Sequence, residues 1–123
     1  MARVMVVDDI SIMRFTIKDR LQKLGHEIVA EASNGYNAIE QYKIFKPDLV
    51  TMDITMPAEQ GVKNGIEALV EIRKFDSDAK IIMVTSHGEE KLVIEAISKG
   101  AKGYILKPVS EEKLKSVFDK IKF

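Results

Sequence analysis

Short apolar runs alternate with segments of helical periodicity along the chain. The runs predict five β-strands, over residues 4–7, 27–32, 48–53, 80–84 and 103–106. Apolar residues that recur every three or four positions predict helices over residues 10–24, 36–46, 66–75 and 89–99, and a last helix that begins after Ser110. This alternation predicts an α/β fold of the (βα)5 type, with a doubly wound, five-stranded parallel sheet and helices on both faces.

The ends of the helices carry recognisable signals. Gly25 and Gly100 are expected to end the first and fourth helices. Ser110 is the predicted cap of the last helix, and Asp9 or Ser11 that of the first. The apolar stripes expected to face the core include Ile10, Phe45 and Ile97.

Composition restricts the possible functions. The chain has 123 residues, the length of one domain, with 19 basic and 19 acidic residues, so nothing favours non-specific binding to nucleic acid or anionic lipid. The chain has no cysteine, its apolar runs are far shorter than the ~20 residues of a membrane span, and its start lacks the apolar region of a signal peptide. We therefore expect a cytoplasmic monomer that neither binds nucleic acid nor inserts into a membrane.

Polar and charged residues follow four of the predicted strands. Asp8 and Asp9 follow the first strand, Asp53 ends the third, Thr85 follows the fourth and Lys107 follows the fifth. Each alone has a structural explanation, such as a helix cap, a turn or a surface lysine. In open α/β sheets, however, ligands bind beyond the carboxyl ends of the strands, where these residues meet.

Taken together, these residues suggest phosphoryl chemistry. In a doubly wound sheet the first and third strands are central neighbours, so the three carboxylates converge and need a counter-charge. Mg²⁺, which prefers oxygen ligands, is the natural partner. A lysine and a hydroxyl beside it suit a transferring phosphoryl group, and an aspartate can accept that group as an acyl phosphate.

The chain resembles the receiver domains of two-component response regulators over essentially its whole length. The matching segments are residues 6–9, 47–53, 56–57, 84–86 and 103–109. The resemblance implies the flavodoxin-like strand order 2-1-3-4-5. It also implies a single receiver domain over residues 1–123, without an output domain, that acts as a chemotaxis-type switch and not as an enzyme.

The resemblance assigns roles to the strand-end residues. Asp53 would be the phosphoacceptor, and Lys107 would pair with the phosphoryl oxygens. Mg²⁺ would be bound by Asp8, Asp9, Asp53 and the backbone carbonyl of Thr55. The peptide bond after Lys107 would be cis.

A second group of residues would form the switch. On phosphorylation the Thr85 hydroxyl would move toward a phosphoryl oxygen and Tyr104 would turn inward. Thr55 and His87 occupy the positions that tune phosphate lifetime in the family. Because neither is a carboxamide or carboxylate that could orient water, we expect slow self-dephosphorylation.

The implied partners are a histidine kinase and a separate protein target. The target would be a flagellar motor switch or, alternatively, a histidine phosphotransferase in a phosphorelay. Ile12 and Phe15 form a candidate docking patch on the first helix. The candidate surface for the target includes Lys91, Ile94, Glu95 and Tyr104.

One segment departs from the family pattern. Residues 57–65 carry about four extra residues, so Gly61 and Gly65 both fit the glycine expected before the third helix. We interpret the addition as a longer loop beside the site.

There are three alternatives to a receiver domain for the residues of this chain. A small phosphatase of the haloacid dehalogenase type would need a second aspartate where this chain has Thr55. An FMN carrier would need a phosphate-binding loop where Asp8 and Asp9 would repel phosphate. A structural protein without a metal is the remaining alternative.

Overall fold

A computed structural model describes residues 1–122 of the chain as five strands and five helices. The strands are β1 (Arg3–Val7), β2 (Glu27–Ala32), β3 (Leu49–Asp53), β4 (Ile81–Thr85) and β5 (Gly103–Leu106). The helices are α1 (Ser11–Lys23), α2 (Gly35–Phe45), α3 (Gly65–Phe75), α4 (Glu90–Ser98) and α5 (Glu111–Phe118). All five predicted strands and helices are present, with boundaries shifted by a few residues at most.

The five strands form one parallel sheet in the order β2-β1-β3-β4-β5. The predicted fold class and strand order are therefore confirmed. Since all strands run the same way, their carboxyl ends lie along one edge. At the centre of that edge β1 pairs with β3, and Val7 lies opposite Met52.

The two faces of the sheet bury separate apolar clusters. Alternate residues of β1 point to opposite faces, so that Val4 and Val6 belong to one cluster and Met5 and Val7 to the other. The cluster containing Val4 is completed by apolar side chains of α1 and α5, and the other by side chains of α2, α3 and α4. Burial on both faces explains the unbroken apolar runs of β1 and β4.

The predicted cap of α1 is wrong. Neither Asp9 nor Ser11 caps the helix, because Ile10 occupies the N-cap position. The Asp8 side chain instead accepts a hydrogen bond from the Ile10 backbone N–H, with 2.9 Å between Oδ1 and N. The start of α1 is thereby tied to a carboxylate at the end of β1.

The predictions for the other helix ends are confirmed. The Ser110 side chain caps α5 by accepting from the Lys113 N–H. Gly25 and Gly100 follow α1 and α4 with positive φ angles of 91° and 110°.

Three apolar residues expected in the core are exposed instead: Ile10, Phe45 and Ile97. Ile10 precedes α1 and so does not share the helical stripe. Phe45 is the last residue of α2, after which the backbone turns through a left-handed Lys46. α4 is short and buries only Ala96 fully, which leaves Ile97 beside a surface cavity.

The extra residues between β3 and α3 form a compact turn. Glu59 and Val62 exchange two backbone hydrogen bonds, and Gly61 lies between them with a φ of 81°. Gly65 begins α3, and its N–H donates to the Ile54 carbonyl at 2.8 Å. A Cβ on Gly65 would collide with the Asp53 carbonyl oxygen, so Gly65 is the glycine that packs against the end of β3.

Within residues 1–122, no helix has both the length and the apolar character that a membrane span requires.

Candidate metal centre

Three carboxylates meet at the carboxyl edge of the sheet, as predicted. Asp8 and Asp9 follow β1, and Asp53 ends the neighbouring strand β3. One carboxylate oxygen from each residue lies within 4.8 Å of the other two. Asp8 is fully buried and Asp53 is 5% exposed, whereas Asp9 reaches solvent. The fold thus brings together two acids that water cannot fully screen.

Lys107 supplies a positive charge to this cluster. Its Nζ lies 3.4 Å from Asp8 Oδ2 and 3.5 Å from Asp53 Oδ1. Its backbone N–H donates to the Thr85 carbonyl at 2.8 Å, and the bond to Pro108 is cis, as expected. Burial alone would lower the pKa of Lys107, but the charges of Asp53 and Asp8 outweigh burial and raise it. Lys107 therefore remains an ammonium ion.

One ammonium does not neutralise three carboxylates. Burial, followed by repulsion from Asp8, raises the pKa of Asp53 from its ordinary 3.8 to about 7, although Lys107 acts in the opposite direction. The Asp53 carboxylate is therefore unstable in its charged form unless more positive charge arrives.

The donor set fits a hard divalent cation. Asp8 Oδ1 accepts from the Ile10 N–H, whereas the buried Oδ2 faces the Lys107 ammonium at 3.4 Å, and Lys107 shares that ammonium with Asp53. A buried carboxylate oxygen that has only a shared ammonium, beside two further carboxylates, needs an additional cation that ligates oxygen. Mg²⁺ matches this requirement because it binds through one or two carboxylates and keeps several waters. The acidic cluster thus fits Mg²⁺.

The predicted switch hydroxyl is held by a residue that the sequence analysis missed. Thr85 is buried, and its Oγ1 lies 3.0 Å from Glu89 Oε1 and 3.3 Å from the Ser86 carbonyl oxygen. Glu89 Oε1 also accepts from the Ser86 N–H at 2.6 Å, and Oε2 accepts from the Thr55 hydroxyl. The spacing Ser86-x-x-Glu89 is that of a capping box, and this signal could have identified Glu89.

Glu89 is a carboxylate in this arrangement. Partial burial would raise its pKa, but the hydrogen bonds from Thr55, Ser86 and Thr85 and the charge of Lys107 outweigh burial, so the pKa is lowered. Thr55, two residues after Asp53, donates its hydroxyl hydrogen bond to Glu89. His87 is exposed.

Tyr104 is 53% exposed. It borders a cavity of about 440 Å³ that Thr85 also lines. The apolar walls of the cavity are Val93, Ile94, Ile97 and Leu106. The two predicted switch residues, Thr85 and Tyr104, therefore line the same cavity.

Both predicted docking surfaces are exposed. On α1, Ile12 and Phe15 are 64% and 62% exposed and lie one helical turn apart. On α4, the exposed residues of the second candidate surface are Lys91, Ile94 and Glu95. Docking at either surface remains a prediction.

Comparisons with known proteins agree with this site. A family model described as the response regulator receiver domain matches residues 4–119. The chain is 47% identical over 119 residues to the chemotaxis protein CheY of Thermotoga maritima, covering 97% of this chain and 96% of that protein. It is 48% identical over 118 residues to CheY of Bacillus subtilis, covering 96% and 95%.

A solved structure is similar throughout. The CheX–CheY–BeF3–Mg²⁺ complex from Borrelia burgdorferi matches with a TM-score of 0.85 and 34% identity, over 98% of this chain and 90% of that chain.

Proposed function

Because this chain belongs to the family of response regulator receiver domains, we propose that it is a chemotaxis-type switch that accepts a phosphoryl group on Asp53. The donor is a phosphorylated histidine kinase, and the phosphorylated domain binds a separate protein target, with a flagellar motor switch as the first candidate. The names of the CheY relatives support the chemotaxis assignment.

One observation carries the proposal: a buried aspartate with a raised pKa lies between other carboxylates and a lysine. A packed core does not need this arrangement, which leaves a carboxylate under-neutralised. A site that gathers cations and phosphoryl oxygens does need it, because phosphoryl transfer depends on positioning and charge neutralisation.

The reaction uses the Asp53 carboxylate as nucleophile. A carboxylate oxygen attacks the phosphorus of a phosphohistidine, and a P–O bond forms while the P–N bond breaks. The electron pair of the broken bond stays on the imidazole nitrogen, which takes up a proton as it leaves. The Lys107 ammonium, 3.5 Å from Asp53 Oδ1, is placed to neutralise the transferred oxygens.

Mg²⁺ would be held by Asp8, Asp9, Asp53 and the backbone carbonyl of Thr55, and would supply positive charge to the phosphoryl oxygens when bound. The name of the Borrelia complex, which includes BeF3 and Mg²⁺, supports this assignment, since beryllofluoride is an analogue of a phosphoryl group.

The signal would pass from Asp53 to the α4 surface. The Thr85 hydroxyl donates to a phosphoryl oxygen, and Tyr104 turns into the cavity beside Thr85. Inward rotation of Tyr104 changes the surface formed with Lys91, Ile94 and Glu95, and the target reads this change.

Transfer from a protein donor tests the function. A histidine kinase of the chemotaxis type, autophosphorylated with labelled ATP, should pass its label to the wild type in the presence of Mg²⁺. Asp53→Asn should receive none. Label that stays on the kinase, or that reaches Asp53→Asn equally, would contradict the proposal.

The apolar patch on α1 gives a second prediction. Phe15→Ser should slow transfer from the kinase about tenfold, because an aromatic anchor is lost from the docking surface. Labelling by acetyl phosphate, which needs no docking, should be unchanged. Rates with both donors are compared by gel autoradiography and intact mass.

Ile44→Ser is the matched control, since Ile44 is 67% exposed on α2 and lies outside both candidate surfaces. It should leave transfer from either donor at the wild-type rate. If Phe15→Ser slowed transfer from the kinase and labelling by acetyl phosphate equally, Phe15 would have no docking role.

A further inference from the structure

We propose that Glu89 is a positioning residue that holds the Thr85 hydroxyl in the resting state and slows phosphorylation until it releases that hydroxyl. This inference rests on the proposed function, since it concerns how Thr85 reaches a phosphoryl group on Asp53. Neither the acidic cluster nor Lys107 explains why a further carboxylate, that of Glu89, accepts from the Thr85 hydroxyl.

The Glu89 carboxylate ties three segments together. Oε1 accepts from the Thr85 hydroxyl at the end of β4 and from the Ser86 N–H in the following loop. Oε2 accepts from the Thr55 hydroxyl in the loop after β3. Glu89 itself immediately precedes α4. One side chain therefore connects both loops beside the acidic cluster to the start of α4.

The hydroxyl of Thr85 can serve only one strong acceptor at a time. It has a single proton, and Glu89 Oε1 at 3.0 Å is a closer acceptor than the Ser86 carbonyl oxygen at 3.3 Å. A phosphoryl oxygen on Asp53 needs that same proton. Because Glu89 is ionised, its hydrogen bond is charge-assisted and stronger than one between neutral groups. Phosphorylation must therefore break an existing contact of Thr85 before the new contact forms.

The position of Thr85 makes this competition local. β3 and β4 pair with Asp53 opposite Val84, the residue directly before Thr85. Thr85 is 2% exposed, so water does not readily replace a lost partner. Thr85 therefore lies one residue beyond the position that pairs with Asp53, while its hydroxyl is bonded to Glu89 just before α4.

The same contact reaches the cavity beside Tyr104. Ser86, whose N–H is held by Glu89, lines this cavity together with Thr85 and Tyr104. Release of the carboxylate frees both the hydroxyl and the loop that borders the space into which Tyr104 would turn. Glu89 would then control the phosphorylation step and the conformational step together.

The test compares the rate of phosphorylation by acetyl phosphate at saturating Mg²⁺ in wild type, Glu89→Ala and Glu89→Gln. Removing the competing acceptor makes the hydroxyl available to the phosphoryl oxygens as charge develops on them. We expect Glu89→Ala to react about fivefold faster, the effect of losing one hydrogen bond. Glu89→Gln should react faster by a smaller factor, since its neutral amide is a weaker acceptor.

The matched control is Glu90→Gln. Glu90 is the next residue and carries the same charge, but it makes no contact with Thr85. It should react at the wild-type rate. A rate increase as large as that of Glu89→Ala would assign the effect to general charge and overturn the proposal.

A Thr85→Ala background separates positioning from a merely structural role. If Glu89 acts through the hydroxyl, Glu89→Ala should cause no acceleration once that hydroxyl is gone. Persistence of the fivefold effect in this background would overturn the proposal. If circular dichroism shows that Glu89→Ala does not fold, the same comparison is made with Glu89→Gln in the wild-type and Thr85→Ala backgrounds.

The outcomes distinguish the two proposals. If wild type is labelled on Asp53 but Glu89→Ala and Glu89→Gln react at the wild-type rate, Glu89 has no such role and the proposed function stands. A wild type that takes no label overturns the proposed function and the role of Glu89 with it.

Discussion

Replacing Asp53 with asparagine should stabilise the metal-free protein by about 2–4 kcal/mol at pH 8 and by much less at pH 5. The reason is the rise of the Asp53 pKa from 3.8 to about 7, caused mainly by burial and by Asp8. Between these two values the folded protein keeps a proton that the unfolded chain has lost. Folding stability therefore falls as the pH rises through this interval, and the neutral asparagine removes the loss.

Urea unfolding with EDTA at pH 5 and pH 8 measures this difference. Asp78→Asn is the control, since Asp78 is exposed and lies away from the acidic cluster. It should change the free energy of unfolding little at either pH. Equal stabilisation by Asp53→Asn at both pH values would show that the Asp53 carboxylate is not under electrostatic strain.

Magnesium should narrow the difference in stability between the wild type and Asp53→Asn. At pH 8 added Mg²⁺ should raise the free energy of unfolding of the wild type, because a ligand that binds only the folded state stabilises it. The increase should be smaller for Asp53→Asn, which has lost one carboxylate. The two variants should therefore approach each other as Mg²⁺ is added.

Removal of the lysine has the second large effect. Lys107→Met should accept a phosphoryl group from acetyl phosphate about 10- to 100-fold more slowly at pH 7. Two causes add: the phosphoryl oxygens lose a cation, and the pKa of Asp53 rises further because Lys107 no longer lowers it. A larger fraction of Asp53 is then protonated and not nucleophilic.

The pH dependence separates these causes. The phosphorylation rate of Lys107→Met should keep increasing up to a higher pH than the rate of the wild type does. At its plateau it should still be lower than the wild-type rate. Lys102→Met is the control, because Lys102 is exposed at the opposite end of β5. A wild-type rate and pH profile for Lys107→Met would mean that Lys107 does not assist the transfer.

The sequence was sufficient to predict the acidic cluster because parallel strands impose a simple geometry. Strand ends share one edge, so Asp8, Asp9 and Asp53 could be grouped without coordinates once the strands were recognised. Lys107 could be placed beside these acids for the same reason, since it follows β5 at the same edge. The fold followed from helical periodicity that alternates with continuous apolar runs, because strands buried on both faces are apolar at successive positions.

The details that were missed depend on loops and helix ends. The hydrogen bond between Glu89 and Thr85 depends on a side chain that folds back across a loop, which strand and helix periodicity does not encode. The exposure of Phe45 and Ile97 depends on where each helix ends and on what packs against it. The choice between Gly61 and Gly65 required the close approach of Gly65 to the Asp53 backbone.

The most direct measurement is intact mass after incubation with acetyl phosphate and Mg²⁺, followed by borohydride reduction to mark the acyl phosphate. We expect a gain of one phosphoryl group, with the reduced residue at position 53. The gain should disappear in Asp53→Asn and in wild type treated with EDTA. No gain in the presence of Mg²⁺, or a gain that Asp53→Asn retains, would contradict the assignment of Asp53 as the acceptor.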